Sequence, residues 1–224
     1  MKPTKGERIF GVFNGLILLS LAFICLFPFI NVLARSLSSE TAIIGGNVVL
    51  WPVDVQFEAY TSVFGNAAMR TSFLYTVFVT VLGTCINILL TVLAAYPLSK
   101  DDLVGKKPLW LMILFTMFFS GGIIPLYLVV NGLHLLNTCW ALILPGAIST
   151  YNMIIMKTFF QNIPDSLEES AKLDGCTEIG VLFRIVLPLS MPVIATLSLF
   201  YAVGHWNNFM SALLYINDTS KFTL

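Results

Sequence analysis

The stretch EESAKLDGCTEIGVLFRIVLP, Glu168 to Pro188, is the most charged part of a chain that is otherwise mostly apolar. Just upstream, Ile163-Pro164-Asp165-Ser166 carries helix-start chemistry. Ser166 and Glu169 have capping-box spacing, as do Asp165 and Glu168, and Pro164 suits a first helical position. Glu168 and Glu169 in the first turn complement the helix dipole, and Gly175 is a natural left-handed stop. The pattern predicts a short helix of about ten residues, ~15 Å long. The chain then turns and climbs into an apolar run through Val181, Leu182 and Ile185. Leu167, Ala171 and Asp174, with Ser170 and Leu173, fall along one side of the helix. A helix lying in lipid headgroups wants Lys and Arg on its polar face and large apolar residues opposite. This one is acidic-leaning and built from small residues, which suits docking against protein better than lying on lipid.

The rest of the chain shows what this segment hangs from. Of 224 residues, 57% are hydrophobic and 11% charged, with a mean hydropathy of +0.87; soluble domains carry about a quarter charged residues. Asp, Glu, Lys and Arg are absent from 9–34, 71–99, 108–156 and 185–217. A bilayer core ~30 Å thick needs ~20 apolar residues. The third gap holds two spans, with Asn131–Asn137 as the turn between them. The expectation is an all-α, polytopic membrane helical bundle with five spans, at 9–34, 71–98, 108–130, 138–158 and 185–205. It forms one transmembrane domain over 1–224, with 163–185 as a cytoplasmic segment.

Nine of the 12 basic residues fall on one side of this arrangement. Lys2, Lys5, Arg8, Lys100, Lys106, Lys107, Lys157, Lys172 and Arg184 face Arg35, Arg70 and Lys221. The bias places the N-terminus and 157–184 in the cytoplasm, and 35–70 and the C-terminus outside. The first span reads as an uncleaved signal-anchor, because its apolar run is too long for a cleaved leader. Cys25, Cys85, Cys139 and Cys176 have neither metal nor redox spacing and read as small packing residues. Lys+Arg and Asp+Glu both number 12, so net charge says nothing about partners; no nucleic acid is expected.

Ser120-Gly121-Gly122 with Pro125, Pro145-Gly146, and Pro188 with Pro192 interrupt the last three spans. In lipid, freed backbone groups need partners in the protein or in a water-lined cavity; membrane helices also use Pro and Gly for packing alone. Near mid-depth lie Asn87, Ser149-Thr150-Tyr151-Asn152, Ser190, Thr196 and Ser198. None of these is ionisable, so the spans offer no proton relay and no carboxylate for a coupling ion. That argues against an ion-driven carrier.

The charged segment resembles the EAA loop of ABC importer permease subunits: EAA, three residues, Gly, nine residues, Ile-x-Leu-Pro. Here it stands as Glu169-Ser170-Ala171, Gly175, then Ile185-Val186-Leu187-Pro188, with Ser170 for the middle Ala. FFSGGIIPLYLVVNGLHLLNTCWALILPGAISTYNMIIMKTFFQNIPDSLEESAKLDG and LPLSMPVIATLSLFYAVGHWNNF are similar to maltose-type carbohydrate permeases. They look most like the subgroup for complex oligosaccharides and polysaccharide fragments. The resemblance implies that Glu168, Glu169, Ser170, Ala171, Asp174, Gly175, Ile185, Leu187 and Pro188 couple the chain to a separate ATPase. It implies a second permease subunit, two ABC ATPase subunits carrying ATP and Mg, and a lipid-anchored external solute-binding protein. No cofactor is expected on this chain. Members of the family usually have six spans, and WNNFMSALLYINDTSKFTL reads as the approach to a last one, so the C-terminal span is expected to be missing.

Sugar contact needs hydrogen-bonding side chains and aromatic faces. Ser149, Tyr151, Asn152, His205, Trp206 and Asn207 are candidates. For His205-Trp206 an interfacial anchor at the outer edge is the favoured alternative, and for Ser149–Asn152 interhelical hydrogen bonding stands level with a pathway role. An ABC permease for another solute and an ion-driven secondary carrier are the alternative functions. A membrane hydrolase needs a nucleophile motif such as GxSxG, which is absent, as is a phosphate-cradling GxxxxGK[ST].

Overall fold

The computed structural model describes residues 5–218 and 221–223; Lys2, and Thr219, Ser220 and Leu224 of the C-terminal stretch, lie outside the described residues. Among the described residues all regular structure is helical. The chain divides into two compact units, Met1–Ala67 and Ala68–Leu224.

In the first unit, α1 (Lys5–Ser36) is one helix with Pro28 inside it. Its apolar stretch Gly6–Ser36 is long enough to cross a bilayer, and none of its most apolar window is buried. A short loop structure closes over its end. Ala34 packs with Ala42 and Val48, and α2 (Glu40–Ile44) is capped by the Ser39 hydroxyl. Buried Ser38 donates to the Ala34 carbonyl at 2.6 Å and accepts from the Val53 amide at 3.0 Å. The short α3 (Glu58–Gly65) completes the unit.

The second unit is organised by α4 (Ala67–Ser99), a second helix long and apolar enough to span a bilayer. Its buried stripe runs Thr76, Val79, Gly83, Asn87, Thr91, Ala95, Leu98. These recur at helical spacing and are mostly small or polar. Lipid tails are as apolar as Leu, so helices in a membrane associate through close packing and hydrogen bonds; small residues permit both.

The three later spans are broken rather than continuous. The stretch 108–130 is two helices, α5 (Lys106–Phe118) and α6 (Ile123–Gly132), bent by 115°. The cause is Gly122, whose φ of 85° and ψ of −178° belong to a region that is essentially glycine-only. In 138–158, α7 (Trp140–Ile143) ends in a tight turn at Leu144–Gly146. Helix then resumes as α8 (Thr150–Gln161), capped by Ser149; Pro145 and Gly146 end the first piece. Ser149–Asn152 therefore stand at a helix start, not mid-helix. In 185–205, α10 (Glu178–Val181), a wide π turn and α11 (Leu187–Leu189) lead to an 82° bend before α12 (Met191–Trp206). The bend falls at Ser190, between Pro188 and Pro192. The interruptions expected in the last three spans are present, and among the described residues two helices are continuous and two further pairs are bent, up to four spans rather than five by length and apolarity.

The main core joins α4, α8 and α12 to the segment before α12. Val92, Ala95 and Tyr96 meet Met153, Met156 and Phe160, with Ala171, Val181, Val186 and Leu197. The stretch read as the approach to a last span contains α13 (Phe209–Tyr215), capped by Asn208. It packs Ala212 and Ile216 against Val79, Leu142 and Ile143.

Candidate functional site

The helix α9 (Asp165–Leu173) forms where the sequence places it and ends where Gly175 dictates. Gly175 takes φ +83°. The Cys176 amide donates to the Ala171 carbonyl at 2.9 Å and the Gly175 amide to the Lys172 carbonyl at 3.0 Å. That pair of bonds is the Schellman closure, which satisfies carbonyls a helix end otherwise leaves open. Thr177 then caps α10, accepting from the Gly180 amide at 3.2 Å.

The start of α9 differs from the expected capping box. Pro164 occupies the cap position and no side chain caps the helix, so neither Ser166 with Glu169 nor Asp165 with Glu168 forms the box. Asp165 sits one position into the helix, where its charge still complements the dipole. The docking face also changes. Glu168 and Ala171 turn inward and are buried, because the core around Tyr96 and Phe160 needs a small residue at Ala171. Glu169, Ser170 and Asp174 are exposed, as is Leu173 at 89%. Leu167 is less so, at 43%. Ile185 and Leu187 pack at the edge of the core, and Pro188 is exposed in α11.

Glu168 has a partner that sequence reading missed. It is ion-paired with Lys100, just beyond α4. The buried Tyr96 hydroxyl lies 3.5 Å from Glu168 and 3.4 Å from Glu178. Lys172 pairs with Glu178 at 2.6 Å, a hydrogen bond that raises the lysine above its ordinary pKa. Nearby, Lys106 reaches Asp101 at 2.8 Å and lowers that carboxyl's pKa.

The other candidate residues gather elsewhere, around a cavity of about 590 Å³. Its polar lining includes Asn87, Ser149, Asn152, Tyr201, His205 and Asn208. Ligand pockets commonly measure about 300–1,000 Å³. Tyr151 lines it and is 57% exposed. His205 is not an anchor at a water interface: it is buried, and its Nε2 accepts from the Asn87 side-chain amide at 3.0 Å. Trp206 is half-exposed and packs edge-on against Phe73 at 6.0 Å. Asn207 is exposed and turns back to the Val203 carbonyl at 2.9 Å, outside the cavity lining. Buried Asn87 also donates to the Gly146 carbonyl at 3.4 Å, while its Oδ1 has no partner.

Tyr201 is the member sequence reading missed altogether. Its hydroxyl meets Thr91 at 2.7 Å and accepts from the Ser149 amide at 3.1 Å. The signal was present as spacing: Asn87 and Thr91 on α4 are four apart, as are Tyr201 and His205 on α12. Among the described residues no group of His, Cys, Asp and Glu is placed to hold a metal ion.

Broken apolar helices thus frame an uncharged polar cavity, and a glycine-stopped helix lies outside its lining. Residues 108–223 match the binding-protein-dependent transport system inner membrane component family, and the chain belongs to that family. It is a membrane-embedded transport component and not an enzyme. Over 218 residues it is 50% identical to polygalacturonan/rhamnogalacturonan transport system permease protein YtcP of Bacillus subtilis (strain 168), covering 97% of this chain and 76% of that one. Protein LplC of the same organism is 48% identical over 224 residues, covering 100% of this chain and 76% of its own. A chain in the crystal structure of a bacterial ABC transporter involved in the import of the acidic polysaccharide alginate matches with a TM-score of 0.95 and 33% identity. That match covers 99% of this chain and 79% of the other.

Proposed function

We propose that this chain is one membrane subunit of an ATP-driven importer for oligosaccharides, in particular short fragments of acidic polysaccharides. The observation that carries the substrate class is the pair of relatives named for polygalacturonan/rhamnogalacturonan and alginate, at 50% and 33% identity across nearly the whole chain. The cavity suits such a role on this side: it is roomy, lined by hydroxyls, amides and aromatic rings, and free of the buried carboxylates an ion-coupled carrier needs.

In this reading the segment 163–185 is the coupling element of a single transmembrane domain and lies in the cytoplasm together with the N-terminus. Glu169, Ser170, Leu173 and Asp174 present the free side of α9 to an ATPase subunit, which holds ATP and Mg. Gly175 fixes where that helix stops, and Glu168 and Ala171 seat it on the bundle. Ile185, Leu187 and Pro188 connect it to α12. A second permease subunit completes the pathway, and an external solute-binding lipoprotein delivers the sugar. A docked helix drives the membrane part only if the ATPase binds its two states with different free energies; a rigid, capped helix meets that need.

The test is reconstitution of the complete transporter in vesicles, with uptake measured for galacturonate, alginate and neutral glucose oligosaccharides. The expected result is ATP-dependent uptake of at least one acidic oligosaccharide, captured first by the binding protein in calorimetry. Uptake that follows a proton or sodium gradient and ignores ATP would overturn the assignment.

A further inference from the structure

Besides the packing of Ala171 in the core, helix α9 is held to the bundle by two routes. The covalent route runs through Gly175, α10, the π turn and α11 into α12. It contains a left-handed turn, a wide turn and an 82° bend, so it is indirect. The second route is made of side chains and runs straight to α4. Glu168 is buried and ion-paired with Lys100. The Lys100 ammonium also sits 4.7 Å from the centre of the Tyr96 ring, and that ring packs edge-on against Phe160 of α8 at 6.2 Å. The Gln161 amide reaches the Ser99 carbonyl at 3.5 Å, tying the end of α8 to the same place. With Lys172 and Glu178, the cluster pairs two cations with two anions.

A buried ion pair is weak evidence for stability, because desolvation offsets much of its attraction and an apolar pair of equal volume often serves as well. What such a pair supplies is a directional link between two particular elements. Here those elements are the helix proposed to dock and the helix that carries Asn87 into the cavity wall, with Thr91 bonded behind it to Tyr201. The facing residues, Tyr201 and His205, ride on α12, at the end of the covalent route.

Resting on the reading that α9 docks on an ATPase, the geometry points to Lys100, Tyr96 and Glu168 as positioning residues. They form a strut that carries the displacement of α9 directly to α4, so that both cavity walls move with one handle. Glu168 acts through Lys100 and does not touch the ATPase, in contrast to its neighbour Glu169.

The experiment uses the complete transporter in proteoliposomes and reads ATP hydrolysed per galacturonate oligosaccharide imported. The variants are Lys100→Met, Glu168→Gln, the reversal Lys100→Glu with Glu168→Lys, and the apolar pair Lys100→Met with Glu168→Met. A purely structural role lowers the amount assembled, reducing hydrolysis and uptake together and leaving their ratio unchanged. A strut changes the ratio: the single variants and the apolar pair raise it about fivefold or more, the scale of a coupling free energy, and the reversal returns it towards the wild-type value. The apolar pair leaves no unpaired buried charge, so it reaches the measurement even where a single variant fails to assemble. An unchanged ratio in every assembled variant overturns the strut.

A second readout needs no sugar. Spin labels at exposed Ser166 on α9 and exposed Leu93 on α4 report the distance between the helices, without nucleotide and after trapping with ATP and vanadate. The wild-type distance stays constant, and in the apolar pair it changes between the two states. A wild-type distance that changes as much as the variant's overturns the strut. Should the wild type import none of the sugars, the functional reading fails while the distance measurement still decides on the strut.

Discussion

Along α4, Asn87 and Thr91 meet α12 through uncharged hydrogen bonds, whereas at its end Tyr96 and the following Lys100 meet the charged Glu168 of α9. The difference follows depth. An ionised group in hydrocarbon is costly and belongs where it lines water or finds a partner, so the middle of the helix is restricted to amides and hydroxyls. Interhelical bonds of that kind are worth about 0.6 kcal/mol each on average, little enough, in the proposed role, to be exchanged for contacts with a solute. At its last turn α4 reaches the polar boundary, where Lys100 can stay charged and Glu168 can be buried against it. The cavity wall is built to yield, and the end beside α9 is built to hold.

The largest effects are expected where the held end is broken. Gly175 stands at φ +83° with nothing within 4 Å of where a Cβ would be, so Gly175→Val acts by backbone strain and not by collision. A Cβ in the left-handed region costs about 1–2 kcal/mol, and a branched one more. The Schellman bonds from Gly175 and Cys176 are lost as the turn relaxes. The expected outcome is normal membrane insertion with oligosaccharide uptake down more than about tenfold, the scale of a lost coupling energy. Next is Glu169→Lys. The side chain is exposed, so thermal stability of the isolated subunit should change by less than about 0.5 kcal/mol. Co-purification of the ATPase should fall more than about tenfold, since charge mismatch at an interface costs several kcal/mol and each 1.4 kcal/mol is about tenfold. Equal effects on stability and co-purification would erase the distinction between Glu168 and Glu169.

That distinction shows where sequence reading stops. The helical class, the extent of α9, its stop at Gly175 and the weak points at Gly122 and Pro145 were legible because each rests on local chemistry. Glu168 and Glu169 are adjacent and identical, and what separates them is Lys100, 68 positions away. The capping box failed for a similar reason: Pro164 takes the cap position, one residue before Asp165 and two before Ser166. His205 read as an interfacial anchor because only its neighbours in sequence were visible. Its partners Gly83 and Asn87 come from α4, more than a hundred residues earlier. Counting charge-free stretches gave the apolar segments, and the Gly and Pro inside them marked where the last three break, but not the size of each bend, because hydropathy carries no angle.

The yielding side of the comparison predicts smaller effects. At Gly83 a Cβ would lie 2.5 Å from His205 Nε2, so Gly83→Ala pushes the imidazole away and breaks its bond to Asn87. Overpacking of this kind costs about 1–3 kcal/mol, to be read as a lower melting temperature of the detergent-solubilised complex. Tyr201→Phe is milder. It removes the hydroxyl shared by Thr91 and the Ser149 amide, and with it two neutral bonds, so about 1 kcal/mol of stability is at stake. The ring stays, and with it the packing of α12 on the cavity. The double change Tyr201→Phe with Thr91→Val separates a network from two independent contacts. If the hydroxyls serve each other, adding Thr91→Val costs almost nothing further, since its partner has already gone, and the two losses fail to add. Full additivity would mean that Thr91 and Tyr201 are each held by something else, and the uncharged link between α4 and α12 would then rest on Asn87 and His205.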